Sequence, residues 1–101
     1  MNVELRGTQR KFLRGLAHEL RPAVHVGKEG LSGPVLQSIE EAFSRQELIK
    51  VKLAGDRIER KGLATTVDEA LGCSCVGLIG SVAIFYRQHP DAEKRKIVLP
   101  A

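Results

Sequence analysis

An α/β domain is what this sequence predicts: a four-stranded mixed sheet with three helices, in the order α-β-α-β-α-β-β. Three observations carry that expectation. Apolar residues recur at helical spacing in three separate stretches, and short segments of strand character lie between them. Leu48 to Leu53 alternates cleanly between aliphatic and lysine positions. Two apolar runs, Cys73 to Ile79 and Val82 to Arg87, meet at Gly80-Ser81, a dipeptide suited to a two-residue II′ hairpin turn.

Taken in order, Thr8 is the expected N-cap of a first helix whose Phe12, Leu13, Leu16, Ala17 and Leu20 share one face. Arg21-Pro22 ends it, because the residue before proline is pushed out of the α region. Ala23 to Val26 forms a short strand, with His25 pointing away from Val24 and Val26. The second helix runs from about Ser32 to Arg45, with Pro34 in its first turn and Val35, Leu36, Ile39, Ala42 and Phe43 as its buried stripe. In the next strand Leu48, Lys50 and Lys52 point one way and Ile49, Val51 and Leu53 the other, which gives a lysine-bearing outer face. Asp56 and Glu59 have capping-box spacing for a third helix, with Leu63, Val67, Ala70 and Leu71 inward and Gly72 just past its end.

Strand–helix–strand units favour parallel pairing through right-handed crossovers, and the closing hairpin adds an antiparallel pair. The two crossover helices then share one face of the sheet. The first helix either covers part of the other face or packs beside them. Residues 1–90 are expected to form a single compact domain, and residues 91–101 a charged, mobile C-terminal tail.

Composition narrows the function classes. The net charge is +4 and the pI about 9.4, which points to a polyanionic partner. The charge is unevenly spread. Arg6, Arg10, Lys11, Arg14 and Arg21 stand near the start against Glu4 and Glu19, and Lys50, Lys52, Arg57, Arg60 and Lys61 in the middle against Glu47, Asp56 and Glu59, whereas residues 31–46 hold only Arg45 against Glu40 and Glu41. A basic side and a neutral or acidic side are expected. No apolar run approaches the roughly 20 residues of a membrane span, and Met1 to Gly7 has no apolar leader core, so cytoplasmic residence is expected. Cys73 and Cys75, two apart in a strand, suit small core positions and neither a disulfide nor a zinc site. His18, His25 and His89 are scattered, and no nucleophile–base set, carboxylate pair or P-loop is present. No metal, cofactor, small-molecule substrate or enzymatic activity is expected.

The stretch Val26-Gly27-Lys28-Glu29-Gly30-Leu31 stands out. It lies between a strand and a helix start, where backbone N–H groups and the helix dipole favour an anion. Glycine there lets a phosphate backbone approach closely.

Here the residues form a wider pattern. Leu20-Arg21-Pro22 runs into Val24 to Leu31, Leu48-Ile49-Lys50-Val51-Lys52 follows, and Ile79-Gly80 leads to Phe85-Tyr86-Arg87 and the closing Arg95 to Pro100. The sequence resembles the CRM domain (chloroplast RNA splicing and ribosome maturation), in its short free-standing bacterial form, the YhbY type, over about residues 4 to 100. The resemblance implies a domain with a basic sheet face and a G-x-x-G loop that contributes to RNA binding. It also implies association with ribosomal RNA or precursors of the large ribosomal subunit. Glu29 departs from what the loop would favour, since its carboxylate faces the same surface as a phosphate.

The RNA-binding residues expected on this reading are Gly27, Lys28, Glu29 and Gly30 of the loop, with His25 beside it. Lys50, Lys52 and Arg87 on the sheet, with Lys11 and Arg14 of the first helix, would form an electrostatic track. Phe85 is expected in the core. The protein is expected to act as a monomer. A different class of function is a protein-interaction module that docks on a ribosomal protein or assembly factor through Gln37, Glu40, Glu41 and Ser44. RNA binding outside ribosome assembly is a third.

Overall fold

The computed structural model describes residues 4–101; Met1, Asn2 and Val3, the start of the expected domain and N-terminal stretch, lie outside the described residues. Its elements are α1 (Gly7–Ala17), β1 (Pro22–Val26), α2 (Gly33–Arg45), β2 (Leu48–Leu53), α3 (Arg57–Leu71), β3 (Ser74–Ile79) and β4 (Val82–Tyr86), followed by a short 3-10 turn at Ala92–Lys94. This is the expected order.

The four strands lie in the order β1-β2-β4-β3. β1 and β2 are parallel, and β4 runs antiparallel to both of its neighbours. The hairpin thus folds β4 back between β2 and β3. The residues explain the choice: Ala83, Ile84, Phe85 and Tyr86 are all buried, and a central strand covered on both sides needs apolar residues on both faces. Gly80 at φ +58° is followed by Ser81, whose φ is not positive, as a II′ turn requires.

The crossovers β1-α2-β2 and β2-α3-β3 step in one direction across the sheet, so right-handedness puts α2 and α3 on one face. There Ile39, Ala42, Phe43, Ala64 and Val67 pack against Val26, Ile49, Val51, Leu53, Ala83 and Phe85. α1 covers the opposite face, with Leu13 and Ala17 against Leu48, Val76, Ile84 and Tyr86. The first helix therefore makes a third layer.

The ends of α1 differ from the expectation. The helix begins after Arg6, whose amide donates to Gln9 Oε1 at 2.9 Å, and Thr8 lies within the first turn. It stops at Ala17, well before Pro22, and Lys50 Nζ reaches across and donates to Leu20 O (3.0 Å) and His18 O (3.4 Å) just past its end. A cation on carbonyls at a helix C-terminus is favourable both as a hydrogen bond and against the dipole. The buried stripe of α1 is also narrower than expected: Phe12 and Leu16 remain exposed. In α3 the Asp56–Glu59 capping box forms as expected, Glu59 N donating to Asp56 Oδ1 at 2.8 Å. Ala64 replaces the expected Ala70 in the core. Cys73 is buried just ahead of β3, and Cys75 is half-buried.

The C-terminal segment, expected to be a mobile charged tail, is instead packed on the domain. Glu47 is buried, and its carboxylate accepts backbone N–H groups from His89 (2.9 Å), Lys96 (2.8 Å) and Ile97 (3.1 Å). Ile97 and Leu99 pack on the α1-side core, and Gln9 Nε2 donates to Pro100 O at 2.9 Å. Its charged residues made the segment look solvated, but its backbone and the side chains of Ile97 and Leu99 carry the contacts.

Candidate nucleic-acid interface

Val26, buried, and Leu31, half-buried in the same core, anchor the two ends of the glycine loop. Between them Gly30 N donates to Gly27 O at 3.0 Å and closes a tight turn with Lys28 and Glu29 at its tip. Gly30 has φ +79°, a conformation that costs any other residue strain. Ser32 Oγ accepts the Val35 amide at 3.3 Å, which caps α2, and Pro34 has no N–H to offer. Among the described residues the Gly33 amide at the start of α2 has no hydrogen-bond partner, and Lys28 is exposed. Among the described residues neither Lys28 nor Glu29 has an ion-pair partner, so the Glu29 carboxylate stands exposed next to the lysine.

The loop overhangs an open hollow of about 730 Å³, lined by Gly27, Lys28 and Gly30 on one side and by Gly55, Glu59, Gly62 and Thr66 on the other. This hollow lies beyond the carboxyl ends of the parallel pair β1–β2, where open α/β sheets commonly bind ligands.

Register brings a second set of residues to the same end of the sheet. His25 pairs with Lys52, Lys52 with Val82, and Val82 with Ile79. These four form one row across all four strands. His25, Lys52 and Ile79 are exposed and Val82 is half-buried, so the row lies on the part of the sheet that α1 leaves open. Sequence reasoning missed Val82 and Ile79; the one signal for them was strand parity, which needs the strand order to become useful.

Four expected contacts, Lys50, Arg14, Lys11 and Arg87, are placed elsewhere. Lys50 is half-buried and engaged at the end of α1. Arg14 Nη1 donates to Val76 O (2.8 Å), and Arg10 Nη1 to Cys75 O (2.9 Å), at an irregularity between Cys75 and Gly77 in the β3–β4 pairing. The Arg14 stem passes over Gly77, where a Cβ would come within 2.8 Å of it. Lys11 is exposed on the outer side of α1.

Arg87 lies on the opposite face from Lys52. Its guanidinium holds both Glu40 oxygens, donates to Leu71 O at 3.1 Å and stacks 4.7 Å from the Phe43 ring centroid. It therefore closes the C-terminus of α3 and cannot join a track on the α1 side. Arg87→Met is expected to cost about 1–2 kcal/mol, the range for a charge-assisted pair with one exposed partner. The Arg87 hydrogen bond holds the Glu40 carboxyl below its usual range, against a smaller upward push from burial. The pair's contribution is thus complete above the unfolded pKa of Glu40 and is lost as pH falls through the folded value. An unchanged urea midpoint for Arg87→Met would show that the pair contributes nothing.

On α2, Gln37, Glu40, Glu41 and Ser44 are exposed, and no large exposed hydrophobic residue lies among them. Phe85 is fully buried in the core. Among the described residues there is no cluster that could hold a metal ion, and no helix is long and apolar enough to cross a membrane.

Comparison with known proteins bears on the family and the fold. The model of the CRS1 / YhbY (CRM) domain matches residues 5–87. An RNA-binding protein of Haemophilus influenzae is 41% identical over 93 residues, covering 91% of each chain. Probable RNA-binding protein YqeI of Bacillus subtilis is 34% identical over 97 residues, 95% of this chain and 99% of that one. In three dimensions the chain is similar to the hypothetical protein SAV1595 of Staphylococcus aureus, with a TM-score of 0.82 at 33% identity, covering 96% of this chain and all of that one.

Proposed function

We propose that this chain, which belongs to the CRS1 / YhbY (CRM) domain family, is a non-catalytic RNA-binding protein that associates with ribosomal RNA or large-subunit precursors during ribosome assembly in the cytoplasm. The observation that carries the reading is the shared position of two features. The Gly27–Gly30 turn, with Lys28 exposed at its tip, and the uncovered row with His25 and Lys52 stand at one end of the sheet. A phosphodiester backbone can lie against bare glycine backbone at the loop while Lys28 and Lys52 neutralise successive phosphates. Few side chains there could read a base edge, so binding is mainly backbone-directed. Lys50 and Arg87 belong to the fold's own contacts in this reading, and Arg14 has only its exposed edge to offer. The link to the large subunit is what the family resemblance adds, and RNA as the partner is what the relatives' names support.

Crosslinking in cells, with sequencing of the attached RNA, tests it together with sedimentation on a ribosome gradient. Large-subunit ribosomal RNA and co-sedimentation with particles lighter than the mature subunit are expected. Lys28→Ala should lower the crosslinking yield and reduce the salt dependence of RNA binding by one contact, roughly 0.7 to 0.9 in slope. Crosslinks spread over messenger RNA, with no ribosomal enrichment, would overturn the ribosomal assignment; equal salt slopes for wild type and Lys28→Ala would overturn the role of the loop.

A further inference from the structure

The outer face of α1 has a composition that neither packing nor the loop site explains. Phe12 is 38% exposed, whereas the chain's other aromatic residues, Phe43, Phe85 and Tyr86, are at most 3% exposed. Gly15 follows in the last turn of the same helix, and glycine is a weaker helix former than alanine. Nothing among the described residues requires it: its φ is not positive, and a Cβ there would meet no heavy atom of theirs within 4 Å. Phe12, Gly15, Leu16 and Pro100, with Lys11, line an open hollow of about 630 Å³. Leu16 also lines a second hollow, whose cations are Arg45, Lys94 and Lys96. The acid there, Glu47, is already engaged by backbone N–H groups.

The face is thus an open apolar hollow with one aromatic ring, a bare stretch of helix backbone and Lys11 at its edge, and through Leu16 it adjoins the hollow that holds Arg45, Lys94 and Lys96. We infer that it takes an unpaired segment of RNA, with a base stacked on Phe12 over Gly15 and the flanking phosphates against Lys11 and the cations of the adjoining hollow. Charge decides the occupant: a single strand presents a planar apolar group and an anion at every step, which is what the apolar hollow and these cations match. The absent Cβ at Gly15 leaves room for the base to lie flat. The inference rests on the RNA-binding reading above, but it concerns a separate surface and a different mode, stacking in place of backbone neutralisation.

The test compares a short oligouridine with a blunt RNA duplex. Phe12→Ala should weaken oligouridine binding by roughly 5- to 150-fold, the range for one stacked base, and leave the salt slope and duplex binding unchanged. Phe12→Trp should retain or tighten it. Gly15→Gln, which favours the helix and fills the hollow, should raise the melting temperature while weakening oligouridine binding; a loss of binding here cannot come from unfolding. If wild type binds RNA and both Phe12→Ala and Gly15→Gln bind oligouridine as wild type does, the stacking site is wrong and the loop site stands. If wild type binds the duplex but not oligouridine, the same conclusion follows. Failure of wild type to bind any RNA overturns both.

Discussion

Glu47→Ala is expected to lower stability by about 2–4 kcal/mol and to release the C-terminal segment from the domain. The carboxylate accepts three backbone N–H groups from residues more than 40 positions away, and each buried donor left without a partner costs about 1–3 kcal/mol. The released segment can recover part of that cost by solvation, so the expected loss lies below the full sum. For a domain near this size each kcal/mol moves the melting temperature by about 4–8 °C, which makes the effect easy to read. Glu47→Gln keeps one acceptor oxygen and sets an NH₂ against the remaining donors, and should cost about half as much. The pH dependence has a definite sign. Burial pushes the Glu47 carboxyl up, but the His89, Lys96 and Ile97 amides together outweigh it and hold the folded value below normal. Its contribution is complete above the unfolded pKa and is lost as pH falls through the folded value, so wild type and Glu47→Gln should converge in acid. Amide exchange at Lys96 and Ile97 gives the direct readout. If Glu47→Ala leaves those amides as protected as in wild type, the carboxylate does not hold the segment.

The second large effect is on RNA affinity, in the pair Lys28→Ala/Lys52→Ala. Each lysine that neutralises one phosphate contributes a slope of roughly 0.7 on single strands and 0.9 on duplex in log affinity against log salt. Losing two contacts lowers the slope by roughly 1.4 to 1.8 and, at about 0.1 M salt, weakens binding by roughly 25- to 60-fold. The contrasting pair, Lys50→Met/Arg87→Met, removes the same formal charge but from groups that hold helix ends and Glu40. It should lower stability and leave the slope nearly unchanged. Equal slope changes in the two pairs would mean that net charge, not the loop and the open row, governs binding. A slope unchanged in the lysine pair would remove the proposed surface altogether.

Much of the architecture was legible because local chemistry and tertiary packing agree. Ser32 with Pro34 and Asp56 with Glu59 mark helix starts by hydrogen bonds made within one turn, and those starts are where they were expected. Val26 and Leu31, bulky residues on either side of the loop, do anchor it. The positions that misled are those whose partners are distant in sequence. Lys50 looked like a surface lysine by parity, yet its ammonium is taken by carbonyls 30 and 32 residues earlier. Arg87 follows an apolar strand, and nothing near it in the chain reveals that Glu40, 47 residues back, is its counter-ion. The tail was misread for the same reason.

By itself the sequence determined the element order, the II′ turn at Gly80-Ser81, and the glycine loop between a strand and a capped helix. Periodicity, turn chemistry and capping act over a few residues, so they can be read from a few residues. Only the tertiary structure decided that β4 lies between β2 and β3, that α1 closes one face, and that Glu47 ties down the C-terminal segment. It alone decided which cations are free. A lysine on a strand points to one of two faces, and whether that face is water or another helix depends on what the rest of the chain packs there. Lys50 and Lys52 share a face and a strand; α1 ends over the first and leaves the second in the open row.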